Sequence, residues 1–206
     1  ANAARNLTPV TLELGGKAPA VVASDFSIEK AAERILWVKM FNAGQICTNI
    51  DYVFLPEGRE QEFAGHCKRL FAQRFPDINA NDYTSIIDQR SYDRLQATLD
   101  DARAKGATLI NLAEGQQPDA VLRKFAPHLV LNPTPDMTLS QREIFGPILP
   151  VRTYRTAQEV ADYVNAAGER RPDLRPPAPL AAPHAAAPLP RPAAIPAAVA
   201  AAGGDR

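Results

Sequence analysis

The sequence predicts an α/β domain with helices layered on a mostly parallel sheet, and three observations carry that expectation. Segments of helical periodicity alternate with short β-branched and aromatic runs from residue 10 to about residue 165. Glycine or proline closes several of them, at Gly15-Gly16, at Gly44, at Pro56 with Gly58 and at Gly106. No internal repeat competes with that reading. A chain that alternates in this way builds layers, with helices over a sheet.

Each element has a local reason. In Val10-Thr11-Leu12-Glu13-Leu14 the apolar residues alternate with polar ones, the pattern of a half-buried strand that stops at Gly15-Gly16. Ser27 is placed to cap a helix whose buried face holds Ile28, Ala31, Ala32, Ile35 and Val38, widened by Leu36, Met40 and Phe41, with Trp37 most simply read as core. The helix is expected to end near Gly44, and Gln45 to Thr48 to form a short loop before the strand Tyr52-Val53-Phe54-Leu55. A second helix over Gln61 to Phe75 carries Phe63, Cys67, Leu70 and Phe71 on one stripe. A third aligns Tyr92, Leu95, Leu99 and Ala102. Thr108 to Leu112, His128 to Leu131 and Ile148 to Tyr154 read as strands, and Thr156 with Glu159 forms a capping box for a last helix containing Val160 and Val164.

From Arg171 onward the composition breaks: nine prolines and thirteen alanines stand without one aromatic residue, methionine or cysteine. Such a stretch builds no core, and its prolines interrupt any helix, so residues 169–206 are expected to form an extended, disordered Pro/Ala-rich tail. Two origins are open for it, a native linker or the out-of-frame reading of a GC-rich gene.

Lysine and arginine total 23 and aspartate and glutamate 23, a balance that argues against a nucleic-acid binder working by bulk phosphate neutralisation. No apolar run reaches bilayer-spanning length, and two cysteines are too few for a stapled secreted scaffold. A cytoplasmic setting is the expectation. His66, His128 and His184 have no metal-ligand spacing, so no metal site is expected.

Two thiols differ in placement. Cys67 lies on a helical apolar stripe and reads as a small core hydrophobe. Cys47 sits in a loop between a helix and a strand, where it is either core or a reachable nucleophile in need of a base. Glu13, on the polar face of its strand just before the glycine pair, is a candidate base, with plain solvation as the alternative.

Three segments, Leu12-Glu13-Leu14-Gly15-Gly16-Lys17-Ala18-Pro19, Phe41-Asn42-Ala43-Gly44-Gln45-Ile46-Cys47 and Glu143-Ile144-Phe145-Gly146-Pro147, resemble successive signatures of the aldehyde dehydrogenase superfamily. Their order fits that family, as do the 34-residue step from Glu13 to Cys47 and the 96-residue step to Glu143. The resemblance covers about residues 5 to 166. Its wording at Leu7 to Thr11 and at Asp51-Tyr52 is most similar to the branch that oxidises fatty, aromatic and coniferyl-type aldehydes.

The resemblance implies a division of labour. Cys47 attacks the aldehyde carbon, and its backbone N–H holds part of the oxyanion; Glu13 activates the water that hydrolyses the thioester. Glu143 binds the nicotinamide ribose hydroxyls of NAD or NADP, and Phe145 packs beside that ribose. Lys17 is either a lesser catalytic candidate or a structural ion pair. On this division residues 1–14 end a cofactor-binding domain, 15–168 form the catalytic domain and 169–206 the tail. The family's glycine-rich phosphate loop and its oxyanion-hole asparagine lie upstream of the matching residues, so the chain reads as a fragment of an enzyme that is a homodimer when complete. The substrate is a small-molecule aldehyde, with no nucleic acid as partner and no membrane-spanning segment. Two other readings stay open, a non-catalytic interaction module that keeps the fold with a flexible Pro/Ala tail and a cofactor-independent thiol esterase that uses the same Cys47 and Glu13.

Overall fold

The computed structural model describes residues 5–11 and 15–169. They contain a five-stranded sheet built from Ala18–Val21 (β1), Ile50–Pro56 (β2), Thr108–Asn111 (β3), His128–Leu131 (β4) and Ile148–Tyr154 (β5), in the spatial order β1-β2-β5-β4-β3. The pairs β1/β2, β2/β5 and β4/β5 are parallel, and only β3 runs antiparallel, on β4 at one edge. This is the mostly parallel α/β architecture that the alternation of elements predicts.

β2 reads as an almost unbroken apolar run because both of its faces are covered. Val53 and Leu55 enter the main core with Ile28–Met40 (α1), Glu60–Arg74 (α2) and Gln89–Ala104 (α3). Tyr52 and Phe54, pointing the other way, form a smaller cluster with Val160 and Tyr163 of Ala157–Glu169, which is α5 after the single turn Thr138–Gln141 (α4). The caps act as their residue types require: the Ser27 side chain accepts from the Lys30 N–H at 3.3 Å, and Thr156 Oγ1 accepts from the Glu159 N–H at 3.3 Å while the Glu159 carboxylate accepts from the Arg155 N–H at 3.0 Å.

Three expectations are corrected. The strand expected at 10–14 is not borne out at its start. Val10 and Thr11 are exposed coil, residues 12–14 lie outside the described residues, and the strand that pairs with β2 begins beyond the glycines at Ala18, with Pro19 opposite Tyr52 and Val21 opposite Phe54. Gly15, at φ +75°, turns the backbone before the strand rather than after it. Trp37 is not core but 58% exposed, since the buried arc of α1 is Ile28, Ala31, Ala32, Ile35, Leu36, Lys39 and Met40. Phe41, expected on the widened face, is 56% exposed because it follows Trp37 by four residues and so shares its outward face; the two rings stack on each other at 5.5 Å. Residues 170–206, the Pro/Ala-rich stretch, lie outside the described residues.

Candidate functional site

The loop that presents Cys47 is held in an unusual backbone path. α1 runs into a 3₁₀ turn, Phe41–Gly44, in which Asn42, Ala43 and Gly44 all have positive φ, at 52°, 50° and 76°. For two non-glycine residues that conformation costs about 1–2 kcal/mol each, so it persists only where its surroundings impose it. Gln45 supplies much of the restraint. Its Nε2 donates to the carbonyls of Asn42 and Ser85, both at 3.1 Å, and its Oε1 accepts from the Ile87 N–H at 2.9 Å. Two residues further on, in the turn that follows, Cys47 is exposed.

Two glycine contacts bring the loop and its neighbours together. A Cβ on Gly44 would stand 2.3 Å from the carbonyl oxygen of Gly146, so the Cys47 loop lies directly on the segment Glu143–Pro147. A Cβ on Gly15 would stand 2.1 Å from Glu143 Oε2, so the turn after Glu13 lies on the Glu143 carboxylate. Gly146 is itself backed by Leu95 of α3, whose Cδ2 would be 2.4 Å from an added Cβ. Three segments far apart in sequence therefore meet, backbone to backbone at Gly44 and Gly146 and backbone to side chain at Gly15 and Glu143, and side chains at the two glycines would separate them.

Phe145 sits at this junction with φ +47°, a genuine outlier for an aromatic residue, and is 40% exposed. The chain around it is held from both sides. The Arg94 guanidinium donates through Nη1 to the Ile144 carbonyl at 2.7 Å and through Nη2 to the Phe145 carbonyl at 3.3 Å, while the Ile144 N–H donates to Asp51 Oδ1 at 2.9 Å. The other oxygen of Asp51 pairs with the Lys17 ammonium, which also donates to the Leu139 carbonyl at 2.6 Å. Lys17 is thus in a buried ion pair, the structural alternative named for it.

Lys39 is the unforeseen member. Wholly buried on α1, it donates to the Ile50 carbonyl at 3.0 Å, and burial pulls its ammonium down to about 8, against the pull of Asp51 and Glu143. Asn49, two residues after Cys47, is buried with neither polar side-chain atom hydrogen-bonded among the described residues. Cys67 behaves as expected for core, with no exposure and a thiol pushed up to about 12 by burial.

Of the candidate residues, Cys47, Glu143 and Phe145 occupy segments that touch, and Glu13 lies outside the described residues, two positions before Gly15. No group of three or more metal-ligating side chains occurs among the described residues, and no described helix is long and apolar enough to cross a membrane. The residues that sequence reasoning missed are Lys39, which interrupts an apolar face, and Arg94, which stands on an otherwise solvated helix face; no local pattern marks either.

Beside the Cys47 loop a cleft of about 590 Å³ opens, with the stacked Trp37 and Phe41 in its wall and Ile46, the neighbour of Cys47, in its lining. That volume lies within the range of small-molecule sites. The arrangement offers an accessible thiol, a restrained loop, a carboxylate and an aromatic cleft, the parts needed for acyl chemistry on sulfur.

Comparison with known proteins gives a consistent picture. The family model described as the aldehyde dehydrogenase family matches residues 1–169. The coniferyl aldehyde dehydrogenase of Pseudomonas sp. strain HR199 is 47% identical over 167 residues, covering 80% of this chain and 35% of that protein. A probable coniferyl aldehyde dehydrogenase of Pseudomonas aeruginosa is 50% identical over 165 residues, covering 79% and 34%. Among solved structures, a substrate-bound Staphylococcus aureus AldH superposes with a TM-score of 0.70 at 32% identity, covering 80% of this chain and 35% of the other. The NADP-dependent glyceraldehyde-3-phosphate dehydrogenase of Bacillus halodurans, complexed with NADP, gives 0.68 at 31% identity, covering 78% and 33%. The chain spans about a third of the length of the curated relatives it matches.

Proposed function

Since the chain belongs to the aldehyde dehydrogenase family, we propose that residues 15–168, together with Glu13, carry the thiol chemistry of an NAD- or NADP-dependent aldehyde dehydrogenase that oxidises an aromatic, coniferyl-type or fatty aldehyde to its acid. The observation that supports this reading most directly is the exposure of Cys47 on a loop whose Gly44 rests on Gly146, inside the segment that carries Glu143 and Phe145.

In this reading the Cys47 thiolate adds to the aldehyde carbon. A C–S bond forms, the carbonyl electron pair moves to oxygen, and the Cys47 N–H holds part of the resulting oxyanion. When bound, the nicotinamide supplies the hydride acceptor that leaves a thioester on Cys47. Glu13 takes a proton from water as its oxygen attacks that thioester; the C–S bond breaks, the acid departs and the thiolate is restored. The residues on the chain fit the ribose end of the dinucleotide: Glu143 offers carboxylate oxygens to hydroxyl donors, and Phe145, whose carbonyl accepts from Arg94 and whose neighbour Ile144 is held by Arg94 and Asp51, stays partly exposed in the left-handed region. The names of the Pseudomonas relatives favour a coniferyl-type substrate, and the Trp37–Phe41 wall of the cleft offers an aromatic ring a stacking surface.

Competitive alkylation tests the nucleophile. At about pH 8 a thiol of pKa near 12, such as Cys67, is ionised to the extent of about 10⁻⁴ and is also shielded. Iodoacetamide should therefore label Cys47 by more than a hundredfold over Cys67, as read by peptide mapping. An activated ester such as p-nitrophenyl acetate should leave an acetyl group on Cys47 that is lost in Cys47→Ser. Equal labelling of the two cysteines, or acetylation that persists in the variant, would remove Cys47 from this role.

A further inference from the structure

A charged side chain is out of place on the buried arc of α1, yet Lys39 lies there between Leu36 and Met40, where burial is the largest force against its charge. Its partner is set by a break in the sheet. The β1/β2 ladder pairs Ala18 with Ile50 and then Pro19 with Tyr52, so Asp51 is an extra residue in β2. Two polar groups leave the strand there: the Ile50 carbonyl accepts from Lys39 Nζ at 3.0 Å, and the Asp51 carboxylate turns to Lys17 and the Ile144 N–H. The bond from Lys39 to Ile50 joins the two ends of the segment 40–49, which holds the positive-φ turn and Cys47. Cys47 and Thr48 form the corner of a second turn, closed by the Asn49 N–H on the Ile46 carbonyl at 3.1 Å, and that turn runs directly into Ile50. Gln45 fixes the front of the loop to Ser85 and Ile87, and Lys39 fixes its return to the sheet.

We propose that Lys39 is a positioning residue for the nucleophile: through the Ile50 carbonyl its ammonium sets the direction of the Cys47 turn, and with it the aim of the Cys47 N–H at the oxyanion that forms when the thiolate adds to a carbonyl. That role rests on the reading of Cys47 as nucleophile. A charged donor holds the Ile50 carbonyl more firmly than a neutral amine does, so the hold weakens when Lys39 loses its proton. Asp51 from β2 and Glu143 from the segment before β5 favour keeping that proton, while burial and Lys17 from the segment before β1 favour its loss.

Two reactions of Cys47 separate its aim from its exposure. Alkylation by iodoacetamide needs only a reachable thiolate. Acylation by p-nitrophenyl acetate needs the oxyanion held as well: the thiolate adds to the ester carbon, the carbonyl electron pair moves to oxygen, and the oxyanion collapses as p-nitrophenolate leaves. The ratio of acylation to alkylation rate at Cys47, read by peptide mapping on the whole 206-residue chain, cancels the ionisation of the thiol. It should fall about tenfold or more in Lys39→Met, since a displacement of about 1 Å can cost on the order of a hundredfold. In the parent it should fall as pH rises through about 8, and it should stay level in Lys39→Arg, whose guanidinium keeps its charge. Because Lys39 releases its proton more readily when buried, rising pH favours the folded state over the same range, so that fall cannot come from unfolding. Protection of the buried Cys67 reports that each variant is folded. A ratio unchanged in Lys39→Met, a ratio level across that pH range in the parent, or a fall with pH that persists in Lys39→Arg would overturn the proposal. Equal falls in both reactions would also overturn it, by placing Lys39 on the thiol itself. Absence of acylation in the parent is a separate result, which would remove the nucleophile and the proposal with it. If either variant fails to fold, the pH profile of the parent and the other variant still decide.

Discussion

Replacing Gly44 by alanine should be among the most damaging single-methyl additions to this chain, for two separable reasons. Its φ of +76° places any L side chain in the left-handed region, at about 1–2 kcal/mol. The added Cβ would also meet the Gly146 carbonyl oxygen at 2.3 Å and its carbon at 2.5 Å. Neither backbone gives way easily, since Gly146 is backed by Leu95 and the two preceding carbonyls are held by Arg94. Overpacking of that kind adds roughly 1–3 kcal/mol. The sum, about 2–5 kcal/mol, corresponds to a fall in Tm of roughly 4–20 °C for a domain of this size. Gly65→Ala is the control, because Gly65 lies within α2 with nothing within 4 Å of an added Cβ, and there alanine should stabilise by about 0.5–1 kcal/mol. Calorimetry gives the stabilities, and the iodoacetamide rate at Cys47 gives a local reading that should change in Gly44→Ala and not in Gly65→Ala. A Gly44→Ala chain that melts within about 2 °C of the parent would refute the contact between the Cys47 loop and Gly146.

Other outcomes follow from the same geometry. Burial lowers the Lys39 ammonium from 10.5 to about 8, so between those values the unfolded chain binds a proton that the folded chain lacks, and this group's contribution to stability rises with pH through that window. The rise amounts to about 3 kcal/mol; urea unfolding at pH 8 and at pH 10.5 should show it in the parent and not in Lys39→Met, and equal pH dependence in both would discount the effect. Phe145→Gly relieves a left-handed backbone while losing a partly exposed ring, so it should change stability by less than about 1 kcal/mol, whereas Phe125→Ala, which empties a buried site, should cost about 3–5 kcal/mol. A large loss in Phe145→Gly would mean that the ring serves the core and not a ligand.

Periodicity alone determined most of the fold, because an amphipathic helix or a doubly covered strand writes its burial into its own residues. α2, α3, β4 and β5 lie where their patterns put them, and the caps at Ser27 and Thr156 need only neighbouring atoms. Cys47 was marked by its loop, whereas Glu143 and Phe145 were named only through the resemblance of their segments to a family's signatures. Local pattern failed where the cause was remote. It placed the first strand before Gly15-Gly16, although alternation at 10–14 carries no information about which segment finds β2 as its partner. It put Trp37 in the core, although which arc of α1 turns inward is decided by the sheet and α2 beneath it. Lys39 and Arg94 were invisible to it for the same reason: a lone cation on a helix is solvated unless another element brings it a carbonyl, and here Ile50, Ile144 and Phe145 do so from strand and loop. Tertiary structure alone made those pairings, because each joins groups that the chain separates and only packing sets side by side.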